Sequence, residues 1–111
     1  MNGDRLGAVF AALAHEDRRR MLDILKEHPG SSVGEVASYF DTSRINVIKH
    51  LRVLGGAGLV LSKKNGRKRE LYFNVVPIQE IHERWTTEFS ALWASKLTRI
   101  KYAVEAGASD E

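Results

Sequence analysis

Cysteine is absent from the 111 residues of this chain. That excludes a disulfide framework, a thiolate metal site, an iron–sulfur cluster, a cysteine nucleophile and thiol-based redox sensing, so a small core must hold without covalent staples. Long apolar runs are missing as well. No stretch approaches the roughly 18 uninterrupted apolar residues that would span a bilayer, and Met1 to Arg5 lead into an amphipathic segment rather than a signal core, so a cytoplasmic protein without membrane association is expected. Catalytic signatures are equally lacking: there is no phosphate-cradling glycine loop, no G-x-S-x-G elbow and no H-E-x-x-H zinc motif. A carboxylate pair such as Glu80 and Glu83 reads more simply as the wet face of a helix, and no enzyme is expected.

What is present is the composition of an ordinary soluble domain, with 43% hydrophobic and 28% charged residues. Length and composition together predict a single domain over residues 1–106 and a frayed acidic tail over 107–111. The net charge of +3 conceals a segregation. Residues 43–71 hold eight bases against one acid, a local charge of +7, while the rest of the chain sums to −4. A solvated face usually mixes signs, whereas one cationic region on an otherwise mildly acidic chain suits a polyanionic partner, double-stranded DNA above all.

Periodicity divides the chain into helices and a hairpin. Leu6, Val9, Phe10 and Leu13 line one face of a first helix, with Asp4 near its start. A second helix beginning around Glu16 or Asp17 carries Met21, Leu22, Ile24 and Leu25 inward until Pro29 and Gly30 stop it; its arginines, Arg18 to Arg20, follow acids that can partly neutralise them. Ser31 and Ser32 are candidate caps of a short third helix with Val33, Val36, Ala37 and Phe40 on its apolar side, and Glu35 completes a capping box with Ser32. Asp41, Thr42 and Ser43 form a polar break, after which Ser43 caps a fourth helix in which Val47, Leu51 and Leu54 repeat. Gly55, Gly56 and Gly58 end it. Alternation then takes over, with Leu59 and Leu61 on one face and Leu71, Phe73 and Val75 on one face of a later run. Between them Asn65-Gly66 predicts a type I′ hairpin turn with a highly basic tip. Pro77 opens one long closing helix striped by Ile78, Ile81, Trp85, Phe89, Leu92, Trp93 and Ile100. The predicted fold class is mainly α with a β-hairpin wing, a dimeric winged helix-turn-helix.

Two helices joined by a short polar turn, followed directly by a basic hairpin, are the arrangement of a DNA-reading helix and its wing. With Val47, Leu51 and Leu54 in the core, Ile45, Lys49 and Arg52 point outward, and Asn46 and Ile48 lie on the flanks. Ser43, Arg44, Ile45, Asn46, Ile48, Lys49 and His50 of the helix and Lys64, Arg67, Lys68 and Arg69 of the hairpin are the candidate DNA contacts. Lysine and arginine suit phosphate or guanine, asparagine can pair with adenine, and isoleucine can meet thymine methyl groups.

Several segments in order, namely Ala12-Leu13-Ala14 with Arg18 and Met21-Leu22, Val33-Gly34-Glu35-Val36, the run S-R-I-N-V-I-K-H-L-R-V-L over residues 43–54, Ala57-Gly58-Leu59-Val60, and Gly66-Arg67 with Tyr72, resemble the ArsR/SmtB family of winged-helix repressors. The resemblance covers residues 6–100 and implies a homodimer with two recognition helices in successive major grooves, wings on the backbone or minor groove, and the first and closing helices forming the dimer contact. Leu6, Val9, Phe10, Leu13, Ile81, Trp85, Phe89, Leu92 and Trp93 are the candidate interface. Many family members bind metal through cysteines on the third helix, where this chain has Ser32, Gly34 and Ala37. Others use paired ligands on the closing helix, where this chain offers only His82 with Glu80, Glu83 and Glu88. One imidazole is a poor start for a tetrahedral site, so no metal and no cofactor is expected, and the sequence is similar to the metal-ligand-lacking members. An unidentified small-molecule effector is compatible with this type.

Single residues keep plain alternatives. His50 suits a structural hydrogen bond as well as a DNA contact, His15 helps start the second helix, and His28 sits where a helix end favours partial positive charge. Trp85 and Trp93 suit packing better than a ligand pocket. At the level of function, a sequence-specific repressor on a palindromic operator is weighed against a non-specific architectural DNA binder and against a winged helix that binds only an acidic protein.

Overall fold

The structure is a computed structural model that describes residues 3–86 and 88–109. The chain folds as two compact units, one up to Pro77 and the other from Ile78 onward. The first unit begins with α1 (Gly3–Leu13), α2 (Glu16–Glu27), α3 (Val33–Ala37) and α4 (Arg44–Gly56). Its core draws one or more residues from each element: Val9 and Ala12, then Met21, Leu22, Ile24 and Leu25, then Val36, then Val47, Leu51 and Leu54. These are the positions that helical periodicity places on one face.

Caps explain why the helices start where they do. The His15 side chain accepts the Asp17 N–H at the head of α2, Ser32 and Glu35 form a reciprocal capping box on α3, and the Ser43 hydroxyl accepts the Asn46 N–H at the head of α4. The arginines of α2 find partners other than the acids expected. Arg18 Nε donates to the Ala12 carbonyl at 2.8 Å and Nη2 to Ala11 at 3.2 Å, Arg19 donates to Leu13 at 2.6 Å, and Arg20 donates to Tyr39 at 2.9 Å. Arg18 and Arg19 therefore satisfy the last carbonyls of α1, where the helix dipole favours a cation. Arg20 also lies over the Phe40 ring, 4.7 Å from its centre.

α4 ends in a Schellman motif. Leu59 N–H bonds Leu54 C=O at 2.9 Å and Gly58 N–H bonds Gly55 C=O at 3.0 Å, with Gly58 at φ 77° supplying the left-handed turn. Leu54 and Leu59, the pair that meets across this motif, are both fully buried.

β1 (Val60–Asn65) and β2 (Lys68–Phe73) then form an antiparallel hairpin in the register Val60 to Phe73 through Asn65 to Lys68. The loop is Gly66-Arg67, one residue later than a type I′ Asn-Gly turn requires. Gly66 has φ 64° and no described non-glycine residue has positive φ, the pattern of a type II′ turn with glycine first. Arg67 is compatible with this turn and not with type I′, which needs positive φ at both loop positions. The root of the hairpin is stitched to the loop after α2: Gly30 N–H donates to Leu71 C=O at 2.8 Å and Leu71 N–H to Ser31 C=O at 2.9 Å. Leu71 and Val60 are buried, and Leu61, on the opposite face, is exposed. Leu61 thus parts from Leu59, which lies before the strand in the helix-end motif.

α5 (Val76–Trp85) starts under Asn74, whose side chain accepts the Val76 N–H and donates to Gly58 C=O at 2.8 Å. The closing segment is two helices rather than one, because α5 ends at Trp85 and α6 runs over Glu88–Ser109. At the break, the Thr86 hydroxyl bonds back to the His82 carbonyl, a local bond that competes with helix continuation. α6 continues to Ser109, past the point where a frayed tail was expected; residues 110–111 lie outside the described residues, as does the side chain of Phe89. Among the described residues no helix is long and apolar enough to cross a membrane.

Candidate nucleic-acid interface

All the cationic candidates lie in the first unit. Around α4 the burial of Val47, Leu51 and Leu54 forces the opposite face outward: Ile45 is 68% exposed, and Arg44, Lys49 and Arg52 are exposed beside it. At this exposure most of the Ile45 side chain is open to an apolar contact such as a thymine methyl group. Asn46 and Ile48 are half-buried on the flanks, as the wheel predicts. The Asn46 amide donates to the Thr42 hydroxyl at 3.0 Å, so it is held against the turn before α4 and offers its carbonyl oxygen with one remaining N–H. Ser43 is committed to its cap.

The hairpin carries the other cations. In the observed register Lys64 lies opposite Arg69, Lys63 opposite Glu70, and Asn65 opposite Lys68. Lys63, Lys64 and Arg67 are exposed at and near the tip, and Arg69 is held by the Ser62 hydroxyl at 2.9 Å. Lys68 turns back to α3, where its ammonium meets the Glu35 carboxylate at 3.1 Å. This pair, together with the Ser32 cap, holds the Glu35 carboxyl below the usual carboxylate range, the Lys68 hydrogen bond being the larger cause. Lys68 is thus a strut between hairpin and α3 as much as a cation open to phosphate. Tyr72, near the hairpin root, has its phenol pushed up by burial and by Glu70.

His50 makes contacts within the chain. It is half-buried, its Nδ1 lies 3.3 Å from Arg18 Nη1, and its ring centre is 4.4 Å from that of His15. Burial, His15 and Arg18 all push its pKa down, with Asp17 opposing. His15, Asp17 and His50 form a cluster of potential metal ligands that the sequence reading missed, because residues 15 and 50 meet only once α2 packs on α4. The signal available beforehand was the His-x-Asp spacing at the helix start.

The interface candidates divide. Val9 is corrected: it is 2% exposed inside the chain's own core and has no surface to offer a partner. Leu6 and Leu13 are half-buried, while Phe10 is exposed. In the second unit Ile81 is half-buried and Trp85, Leu92 and Trp93 are exposed. Leu97, Ile100 and Val104 extend the exposed apolar row of α6 beyond those candidates, Trp93 through Val104 recurring at helical spacing.

Comparison with known proteins supplies the context. Residues 13–62 match the family model described as a helix-turn-helix domain. An HTH-type transcriptional regulator of Bacillus subtilis is 38% identical over 91 residues, spanning 77% of this chain and 98% of that protein. The crystal structure of an ArsR family transcriptional regulator superposes with a TM-score of 0.69 at 32% identity, covering 86% of this chain and 96% of that one. A homodimeric winged helix-turn-helix DNA-binding domain from Mycobacterium bovis shares the fold at TM-score 0.62 and 22% identity, over 69% of this chain and 71% of its own.

Proposed function

Because the chain belongs to the ArsR family of winged helix-turn-helix transcriptional regulators, and so is a DNA-binding protein rather than an enzyme, we propose that it is a sequence-specific cytoplasmic repressor acting as a homodimer on a palindromic operator. The observation that carries the reading is the outward face of α4, where Ile45, Lys49 and Arg52 stand clear of the core next to a hairpin edged by Lys63, Lys64 and Arg67. A helix enters the major groove with such a face, and the hairpin reaches the adjacent backbone or minor groove. Exposed cations alone would serve any DNA; Ile45, and the Asn46 amide braced by Thr42, add groups that can discriminate bases.

The homodimer is supported by α6, on which Trp93, Leu97, Ile100 and Val104 are all at least 45% exposed. A row of large apolar side chains in water favours cover by another surface, and an identical helix is self-complementary to it. Two copies also double the phosphates neutralised. A dimer seated on a promoter blocks polymerase, which is how such binding represses.

Selection from a random duplex pool, followed by anisotropy titration of the enriched and a scrambled duplex, tests the proposal. The expected product is an inverted repeat with half-sites about one helical turn, or a multiple of it, apart. No enrichment, with equal affinity for both duplexes at physiological salt, would leave non-specific architectural binding as the function.

A further inference from the structure

The N-terminal end of α2 and the middle of α4 bring together a donor set that DNA reading does not require. His15, Asp17 and His50 each offer a ligand atom, and those atoms all lie within 4.8 Å of one another. We propose that these three residues bind a divalent transition metal, zinc being the best chemical match, and that the ion clips the head of α2 to α4.

Two imidazoles and one carboxylate are a borderline donor set, preferred by zinc and its neighbours over calcium or magnesium, which favour oxygen ligands throughout. Three protein ligands also leave the fourth tetrahedral position to water. With metal–ligand bonds of about 2.0–2.1 Å, tetrahedral donors stand roughly 3.4 Å apart, so the widest separation in the cluster has to contract by up to about 1.4 Å. His15 is exposed and can make that adjustment by rotation of its side chain.

Loading has a definite cost. A neutral imidazole has one lone pair, and both rings already use theirs: His15 Nδ1 accepts the Asp17 N–H at 3.1 Å, and His50 Nδ1 faces Arg18 Nη1 at 3.3 Å. Metal coordination through either ring nitrogen surrenders those bonds. Arg18 keeps its seat without His50, because its other nitrogens remain on the Ala11 and Ala12 carbonyls. Its charge opposes the cation while the Asp17 carboxylate favours it, which makes the site weaker than a closed structural zinc site. Nothing in the cluster comes from α3, α5 or α6, so His82 takes no part.

Zinc titration of the full-length, chelator-treated protein by calorimetry, with cobalt absorption as a second readout, tests the site. His15→Asn is the informative variant, since the asparagine oxygen can still accept the Asp17 N–H and cap α2. His50→Gln is the second, with folding of both checked by circular dichroism. The expected result is one zinc per chain, cobalt bands typical of four-coordination, and loss of about tenfold or more in affinity in each variant. Absence of binding by the unaltered protein at high micromolar zinc would overturn the proposal. So would unchanged affinity in both variants, or affinity lost only in His82→Gln, which would assign the metal to a different imidazole. The readout is metal affinity, so it stands or falls independently of DNA binding.

Discussion

At Arg18 two backbone carbonyls of α1 and the ring of His50 converge on one guanidinium, tying α1, α2 and α4 together. Arg19 makes a comparable carbonyl bond but is exposed, where water replaces it readily. Arg18→Ala is therefore expected to lower stability by about 2 kcal/mol in urea unfolding, and Arg19→Ala by under about 1 kcal/mol. Equal losses would mean that the carbonyls are satisfied by water in both cases. Glu35 makes a pH prediction. Its pKa is lowered in the folded state by Lys68 and Ser32, so the strut between α3 and the hairpin contributes above the ordinary carboxylate range and is lost as pH falls through the lowered folded value. The carboxyl carbon shift of Glu35 should titrate below the usual range, and Lys68→Ala should move that midpoint upward. An unmoved midpoint would show that the ammonium does not hold the carboxylate.

Among the elements, the glycines at the end of α4 separate two physical effects. A side chain at Gly58 meets only the Pro77 ring at 4.0 Å, so space is not the obstacle; its φ of 77° is. Gly58→Ala should destabilise by about 1–2 kcal/mol through left-handed backbone strain. Gly56 is the last helical residue, with open space where a Cβ would stand, and Gly56→Ala should stabilise by about 0.5–1 kcal/mol. Thermal melts of the two variants should move in opposite directions. The same local chemistry decides what could be read from the sequence. The capping box at Ser32 and Glu35, the Ser43 cap and the Val47, Leu51, Leu54 row were legible because each depends on residues a few positions apart. The break at Thr86 was not, since the apolar stripe continues in phase on both sides and only a hydroxyl bonding back to His82 marks the interruption. Neither was the turn register, where Asn-Gly favours one loop and the pairing of Asn65 with Lys68 selects the next. The Lys68 strut and the His15–His50 pair depend on packing between distant segments, which periodicity does not report.

For the whole molecule the decisive quantity is the number of DNA-facing units held together. If the proposed homodimer forms through the exposed row on α6, Leu97→Glu or Ile100→Glu places a charge in that contact, where its desolvation disfavours association. Sedimentation should then report monomers while circular dichroism keeps the helical signal, because these side chains are exposed within the chain and contribute little to its own core. The consequence for DNA follows from counterion release. Each neutralised phosphate contributes about 0.9 to the slope of log affinity against log salt, so a monomeric variant should show roughly half the slope of the dimer. It should also lose the preference for an inverted repeat over a single half-site, although α4 and the hairpin are untouched. A variant that remains dimeric would move the subunit contact away from this row of α6. A monomeric variant with full slope and unchanged preference would show that one chain suffices to read DNA, and the homodimer would then have no part in recognition.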